Sequence, residues 1–399
     1  MPPLSYFPVV LVALCLQWHT VHALSPQFIL CQLQKPAPIS PLAGCPAGTI
    51  FVSQNANDPH AKFTSVQAAI ASLPENGVAT ILIGEGSYEE IINVTCSGPL
   101  TLLGQLPPTA VAELTKPFAN ASSPNLNLVQ IWSNQFVMTG QDDASSAVLT
   151  VAPNLAGALI GAGTDGAPLQ PDFGNIDFKA YNIDFQNRAA NFSISQALVT
   201  DISYANASFY GCAFASYQDT WYTGKNASTY VVDSVIFGQT DYLFGFGTAW
   251  FQNTILANRA CGGGISAWKG FNQTYAPGNR YGSYISSSTI MRSPDANATT
   301  VTDGLCFLGR PWNDLATTVY LNTFMDDSIN AVGFEPFDSA RPTIMNTTFY
   351  AEFNSSGPGG NTLERVAIEH LLTAEQAKNF TVDDVFLEHP KWIDYDYLF

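Results

Sequence analysis

This sequence is short of charge, and above all of positive charge. Only 12% of its 399 residues are charged, with 15 Lys and Arg against 32 Asp and Glu, for a formal net charge of −17. A surface this acidic repels phosphate backbones and anionic lipid, so neither nucleic acid nor a membrane is expected as a partner. Histidine is almost absent: beyond the first 23 residues only His60, His370 and His389 remain, and no G-x-S-x-G occurs. A serine esterase built on a Ser-His-Asp triad is therefore disfavoured. No Cys-x-x-Cys or Cys/His spacing suggests a metal site, and neither metal nor cofactor is expected. No segment after the N-terminus is apolar for long enough to cross a bilayer. Hydrophobic residues nonetheless make up 46% of the chain, which excludes disorder and allows a large core.

The N-terminus carries one short apolar run, Phe7 to Trp18, followed by Val21-His22-Ala23. The run is too short to span as a helix, and the small residues after it resemble a cleavage site. Residues 1–23 are read as a secretory signal, although no Lys or Arg precedes the run. Export agrees with Asn-X-Ser/Thr sequons at Asn93, Asn120, Asn191, Asn206, Asn226, Asn272, Asn297, Asn346, Asn354 and Asn379. It agrees also with the six cysteines left after Cys15 is removed: Cys31, Cys45, Cys96, Cys212, Cys261 and Cys306. Three disulfides are permitted in an oxidising compartment, with Cys31 expected to pair with Cys45.

Residues 24–48 are Pro-rich and aperiodic, and read as a lead segment. Residues 49–399 show no linker and are read as one catalytic domain. A short amphipathic helix is expected over Val66–Leu73, ended by Pro74. ATILIGEGSYEEIINV reads as strand, Gly turn, strand. Further on, FYGCAF (209–214), VVDSVIF (231–237) and FQNTIL (251–256) align at offsets of 22 and then about 20 residues. Short strands repeating at that interval, with no helices between them, predict an all-β fold, a parallel β-helix whose coils stack about 4.8 Å apart. A β-sandwich would need hairpin signals such as Asn-Gly between these runs, and none lies there.

The repeat carries chemistry with it. Gln196 and Gln218 are 22 apart, and so are Asp219 and Asp241. A coil of that length stacks each pair on one face. Two carboxylates about 5 Å apart resist ionising together, so the pair holds one proton and supplies one acid and one base or nucleophile. Two amides offer N–H groups to a developing oxyanion. A structural Asn/Asp/Gln ladder is the plainer reading, but four residues at one shared offset favour a site.

Several segments give a specific resemblance. Ser195-Gln196-Ala197-Leu198, Tyr217-Gln218-Asp219-Thr220, Asp241-Tyr242-Leu243-Phe244-Gly245 and Leu308-Gly309-Arg310-Pro311-Trp312 look like four signature blocks of pectin methylesterases, in order. Gly86-Ser87-Tyr88-Glu89-Glu90 resembles an earlier block. Ala351-Glu352-Phe353 with Gly357-Pro358-Gly359 resembles a late one. The resemblance implies a single-stranded, right-handed parallel β-helix, secreted to the extracellular space or cell wall. It also implies hydrolysis of homogalacturonan methyl esters in pectin to pectate and methanol; a monomer is expected. By that analogy Asp241 is the nucleophile and Asp219 the acid/base. Gln196 and Gln218 are the oxyanion donors, and Arg310 holds Asp241 charged. Trp312 lines the sugar cleft; Tyr217, Trp221, Phe244 and Trp268 are candidate sugar platforms or plain packing. The chain departs from the family pattern at Trp221, Tyr242-Leu243, Ser266-Ala267-Trp268, Gly333-Phe334 and Phe353, which puts the substrate subsites in doubt. The acidic surface should repel pectate, so highly methylated pectin and non-processive attack are expected. A polygalacturonase-like glycosidase on a β-helix and a non-catalytic pectin-binding β-helix are the rival readings.

Overall fold

A computed structural model describes residues 25–110, 123–270 and 280–397. The signal segment and the sequons at Asn120 and Asn272 lie outside the described residues. Between Ile50 and Leu371 the chain winds as a parallel β-helix. Among the described residues its strands stack into an 11-stranded, an eight-stranded and a seven-stranded sheet. Every paired strand in the three sheets is parallel to its neighbour, so each coil contributes one strand to each sheet in turn. One coil runs through Thr200–Ile202, Asn206–Tyr210 and Ala213–Ala215. The next runs through Trp221–Thr223, Ser228–Val232 and Val235–Gly238.

The register is the one the repeat predicted. Phe209 pairs with Val231 and Val231 with Phe251; Phe214 pairs with Ile236 and Ile236 with Leu256. One detail differs. FYGCAF, VVDSVIF and FQNTIL are each two strands, not one, folded across a corner between the long sheet and the eight-stranded sheet. The corner residues Gly211, Asp233 and Asn253 have φ of +61°, +52° and +48°, and Asn182, Ser287, Asn322 and Asn354 repeat the conformation above and below. Short polar side chains and Gly tolerate the left-handed region best, which is why the corner falls on these residues. The corner also carries a ladder: the Asn354 amide donates to Asn322 Oδ1 at 2.9 Å. The polar ladder considered for the glutamines and aspartates therefore exists, at a different corner. ATILIGEGSYEEIINV, read as strand, Gly turn, strand, holds three strands, Ala79–Ile83, Gly86–Glu89 and Ile92–Val94, which enter three different sheets.

Side chains pointing inward fill the coil. Phe185 stacks on Phe214 at 5.8 Å, and Trp221 meets Phe209, Phe214 and Phe251 edge-on at 5.1, 4.9 and 5.7 Å. Each such ring contributes roughly 1.5–3 kcal/mol by leaving water. The outer face of the long sheet is also apolar: Tyr181 is covered by Phe28 and, with Tyr210, by Tyr397, while Phe380 meets Tyr284 further along. A helix over Val66–Ala71, capped by the Ser65 side chain, closes the N-terminal end much as expected. Cys31 pairs with Cys45 as expected, and Cys261 pairs with Cys306. No third disulfide forms: Cys96 and Cys212 are buried and unpaired. Of the described sequons, Asn93, Asn191, Asn297, Asn346, Asn354 and Asn379 are exposed, while Asn206 and Asn226 are half-buried.

Candidate active site

The seven-stranded sheet turns one residue per coil outward in a single row: Asn93, Thr150, Asp201, Tyr222, Phe244, Ala267 and Arg310 are successive register partners. Beside this row, at the corner leading into the sheet, lie the paired residues. Gln218 bridges to Thr240, so the 22-residue offset holds here. The Ala197 N–H donates to the Gln218 carbonyl at 3.2 Å, Asp219 N–H to Thr240 at 3.0 Å, and Asp241 N–H to Gly264 at 2.7 Å. Asp219 and Asp241 both have positive φ, +60° and +48°. Both aspartates are buried, and one cavity is lined by Asp143, Gln196, Gln218, Asp219, Asp241, Phe244, Ala267, Arg310, Trp312 and Phe337.

The two carboxyl groups sit in different company. Asp241 is gripped by Arg310: Nε donates to Oδ1 at 2.9 Å and Nη2 to Oδ2 at 2.6 Å. The Gly264 N–H adds a third bond to Oδ1 at 3.1 Å. The guanidinium is itself fixed, because Nη1 donates to the Phe337 carbonyl at 2.7 Å and Cζ lies 4.6 Å from the Phe337 ring. Gly263, at φ +62°, leaves the room this needs: a Cβ there would lie 2.8 Å from Arg310 Cζ. The Cys261–Cys306 disulfide ties this turn to the segment entering the Arg310 strand. Asp219 has no such cation. Burial first, then the charges of Asp241 and Asp143, push its pKa well above the ordinary carboxylate value, with Arg310 only partly opposing them. Burial and these two like charges thus favour the protonated form of Asp219, beside an ion-paired carboxylate.

The glutamines are oriented by serines the sequence did not single out for this. Ser195 Oγ donates to Gln196 Oε1 at 2.8 Å and Ser193 Oγ to Gln218 Oε1 at 2.7 Å. With both amide oxygens occupied, the NH₂ groups are left to the cavity as donors.

The aromatic expectations divide. Phe244 and Trp312 meet at 5.6 Å and line the cavity. Lys269 Nζ lies 3.4 Å from the Trp312 ring centroid, and Arg341 donates to the Trp312 carbonyl at 2.6 Å, so this wall is held from two sides. Trp221 and Trp268 are corrections. Both are fully buried inside the coil and cannot touch a sugar. Trp221 Nε1 bonds to Thr223 Oγ1 and Trp268 Nε1 to the Gly247 carbonyl, which satisfies the one polar atom each indole has. Strand alternation explains the error: Tyr222 and Ala267 take the outward positions beside them. Tyr217 lies outside this cavity. It sits over Arg259, 4.8 Å from the guanidinium carbon, in a separate depression with Arg188 and Asn191. Of the departures from the family pattern, Trp221, Tyr242, Trp268 and Phe334 all turn inward, so they alter the core rather than the cleft.

Three residues of the cavity, Ala267, Phe337 and Asp143, were not among the expected site residues. Phe337 comes from an irregular loop with no periodic signal. Asp143 opens a 3₁₀ turn, Asp143–Ser146, which Asp142 caps through Ala144 N–H. The adjacent Asp142-Asp143 pair in an acid-rich chain gave no reason to choose it.

Comparisons with known proteins agree with the fold and point to one family. A family model described as Pectinesterase matches residues 172–389. Among curated relatives, a probable pectinesterase/pectinesterase inhibitor 7 of Arabidopsis thaliana is 28% identical over 357 residues, covering 86% of this chain and 52% of the relative. A probable pectinesterase A of Aspergillus flavus is 29% identical over 323 residues, covering 80% and 82%. This chain thus spans about half the length of the plant relative and most of the fungal one. Among solved structures, a pectin methylesterase from Aspergillus niger superimposes with a TM-score of 0.65 at 24% identity, covering 88% of this chain and 98% of that one, and supports the fold.

Proposed function

The chain belongs to the pectinesterase family, and from that premise we propose that it hydrolyses the methyl esters of galacturonate in pectin, giving methanol and pectate. The observation that carries the reading is the inequality of the two stacked aspartates: Asp241 ion-paired with Arg310, Asp219 buried without a cation of its own. An Asp241 carboxylate oxygen attacks the ester carbonyl carbon. The oxyanion that forms takes N–H bonds from Gln196 and Gln218, a type of contact worth roughly 10²–10³ in rate per donor. As the C–OCH₃ bond breaks, Asp219 passes its proton to the methoxide and methanol leaves. The product is an acyl-enzyme, an anhydride of Asp241 and the galacturonate. Asp219, now a carboxylate, takes a proton from water; the hydroxide attacks the anhydride and returns Asp241 and a free uronic acid. Phe244 and Trp312 offer the sugar an apolar wall.

The same reading takes residues 49–399 as the catalytic unit and 1–23 as a secretory signal, with the protein acting outside the cell as a monomer and without cofactor. The sequons support the secretory part of this reading; no helix among the described residues is long and apolar enough to cross a membrane. The decisive measurement is methanol release from methylated pectin. Wild type should release methanol without creating new reducing ends; Asp241→Asn and Asp219→Asn should each lose release by at least about a thousandfold while still binding the polymer. New reducing ends without methanol would instead identify a glycosidase.

A further inference from the structure

The net charge of −17 repels pectate from the whole molecule, but it does not say which residue of a mixed polymer is attacked. The cavity says more. Its one guanidinium is committed elsewhere: each of the three nitrogens of Arg310 already donates, two to Asp241 and one to the Phe337 carbonyl. Lys269 lies at the rim, but its ammonium faces the Trp312 ring and donates to the Gly163 carbonyl at 2.9 Å. No lysine or further arginine lines the cavity. Opposite them Asp143 adds a third carboxyl to Asp219 and Asp241. Asp142, beside it, is committed to the N–H groups of Ala144, Ile160 and Gly161. No hydrogen bond or ion pair ties the Asp143 side chain to a described residue. It is aimed into the cavity with nothing to do in the fold.

We propose that Asp143 is a specificity-determining residue: its carboxylate faces the sugar next to the reacting ester and disfavours a free galacturonate there, so that attack falls within methylated runs. This rests on the esterase reading above. A methyl ester is neutral and passes; a uronate would place a second negative charge against Asp143, where the nearby cation, Lys269, is already held by the Trp312 ring and the Gly163 carbonyl. The proposal has a pH dependence. Burial, then the charge of Asp142, push Asp143 up to about 6, with Lys269 opposing. Below that value Asp143 is a neutral acid and the repulsion is off; above it the repulsion is on. Galacturonate, a carboxylic acid, is ionised throughout. The other groups facing Asp143 are Asp219, whose protonated form burial favours, the Asp241–Arg310 pair, and Lys269. Lys269, pushed down to about 7 by burial and by Lys225, sheds its charge over an overlapping range and acts in the same direction. The difference between wild type and variant therefore isolates the share of Asp143.

The test measures kcat/KM for methanol release from two galacturonate oligomers, one fully methylated and one with unesterified residues flanking each ester, at pH 5 and pH 7.5. For wild type the preference for the fully methylated oligomer should grow by about fivefold or more between the two, the size of one screened like-charge contact. Asp143→Asn should show a clearly smaller rise, and Asp143→Glu should restore it. The same rise in Asp143→Asn as in wild type, or no rise in wild type, would overturn the proposal while leaving the esterase reading intact. No methanol from either oligomer would overturn both.

Discussion

Replacing Arg310 probes the step on which the two aspartates come to differ. Its guanidinium makes two bonds to Asp241, at 2.9 and 2.6 Å, and a third to a carbonyl. Losing a hydrogen bond to a charged group costs about 1.5–3 kcal/mol. The side chains of Arg310 and Asp241 are 20% and 12% exposed, so water takes back part of that cost. A net loss of roughly 3 kcal/mol for both bonds is reasonable, which is roughly a hundredfold in kcat for Arg310→Ala if the grip matters in the transition state. Arg310→Lys keeps the charge but cannot reproduce the parallel pair, and should lose roughly tenfold. A second observable has its own sign. Arg310 partly offsets the upward pull on Asp219. Removing it should tighten the Asp219 proton, and the alkaline limb of the kcat/KM profile should move to higher pH. Methanol release followed from pH 4 to 10, with circular dichroism to verify folding, measures both. A folded Arg310→Ala protein with kcat within threefold of wild type, or an alkaline limb moving downward, would refute the reasoning.

Two more outcomes follow from burial. Trp268→Ala should destabilise the protein by about 3–5 kcal/mol, because the indole fills the coil, whereas Trp312→Ala should leave unfolding nearly unchanged and raise KM; denaturant melts beside Michaelis kinetics separate them. At the far end of the β-helix, Glu369 is buried with Arg365 Nε 3.9 Å away, while Arg365 pairs with Glu352 at 2.6 Å. Burial, then Glu352, push Glu369 up to about 10. A carboxyl raised in the fold binds a proton that the unfolded chain releases near 4.5. Its contribution is therefore full below that pH and is lost as pH rises toward 10. Glu369→Gln should gain stability over wild type between pH 5 and 9, measured by denaturant unfolding; a gap that does not widen with pH would count against it.

The coil length was legible because it is written twice. The alternation inside FYGCAF and its successors gives the strands, and the residues that repeat at the same offset give the site. Gln196, Gln218, Asp219 and Asp241 could be placed together from spacing alone, since each lies near a strand whose register is set by buried Phe and Ile. What spacing could not give was the direction in which each aromatic points. Trp221 and Tyr222 differ by one position, and a one-residue difference exchanges core for cleft. A corner at Gly211 or Asp233 inside an apparently continuous strand hid where that parity resets. Groups brought in by irregular segments, Phe337 and Asp143, leave no periodic trace. The third disulfide failed for a related reason: an even count of cysteines says nothing of where Cys96 and Cys212 face, and each is buried apart from the other.

A repeating fold creates a difficulty for catalysis, which needs two chemically distinct carboxyl groups. Stacked coils deliver equivalent ones: Asp219 and Asp241 share a corner, a left-handed backbone and a neighbouring carbonyl for their N–H. The difference must come from outside the repeat. On one side it comes from Arg310, placed by a later coil and steered by Gly263, which neutralises the nearer aspartate. On the other it comes from Asp143, placed by the turn preceding the coil, which adds negative charge to the farther one. Asp143 thus raises the proton affinity of Asp219 while Arg310 pairs with Asp241, and each influence comes from outside the repeated pair. Substitutions at these two flanking positions should therefore shift the acid/base division between the aspartates without disturbing their stacking. By contrast, changes at Phe214 or Ile236 should disturb the stacking and with it both roles at once.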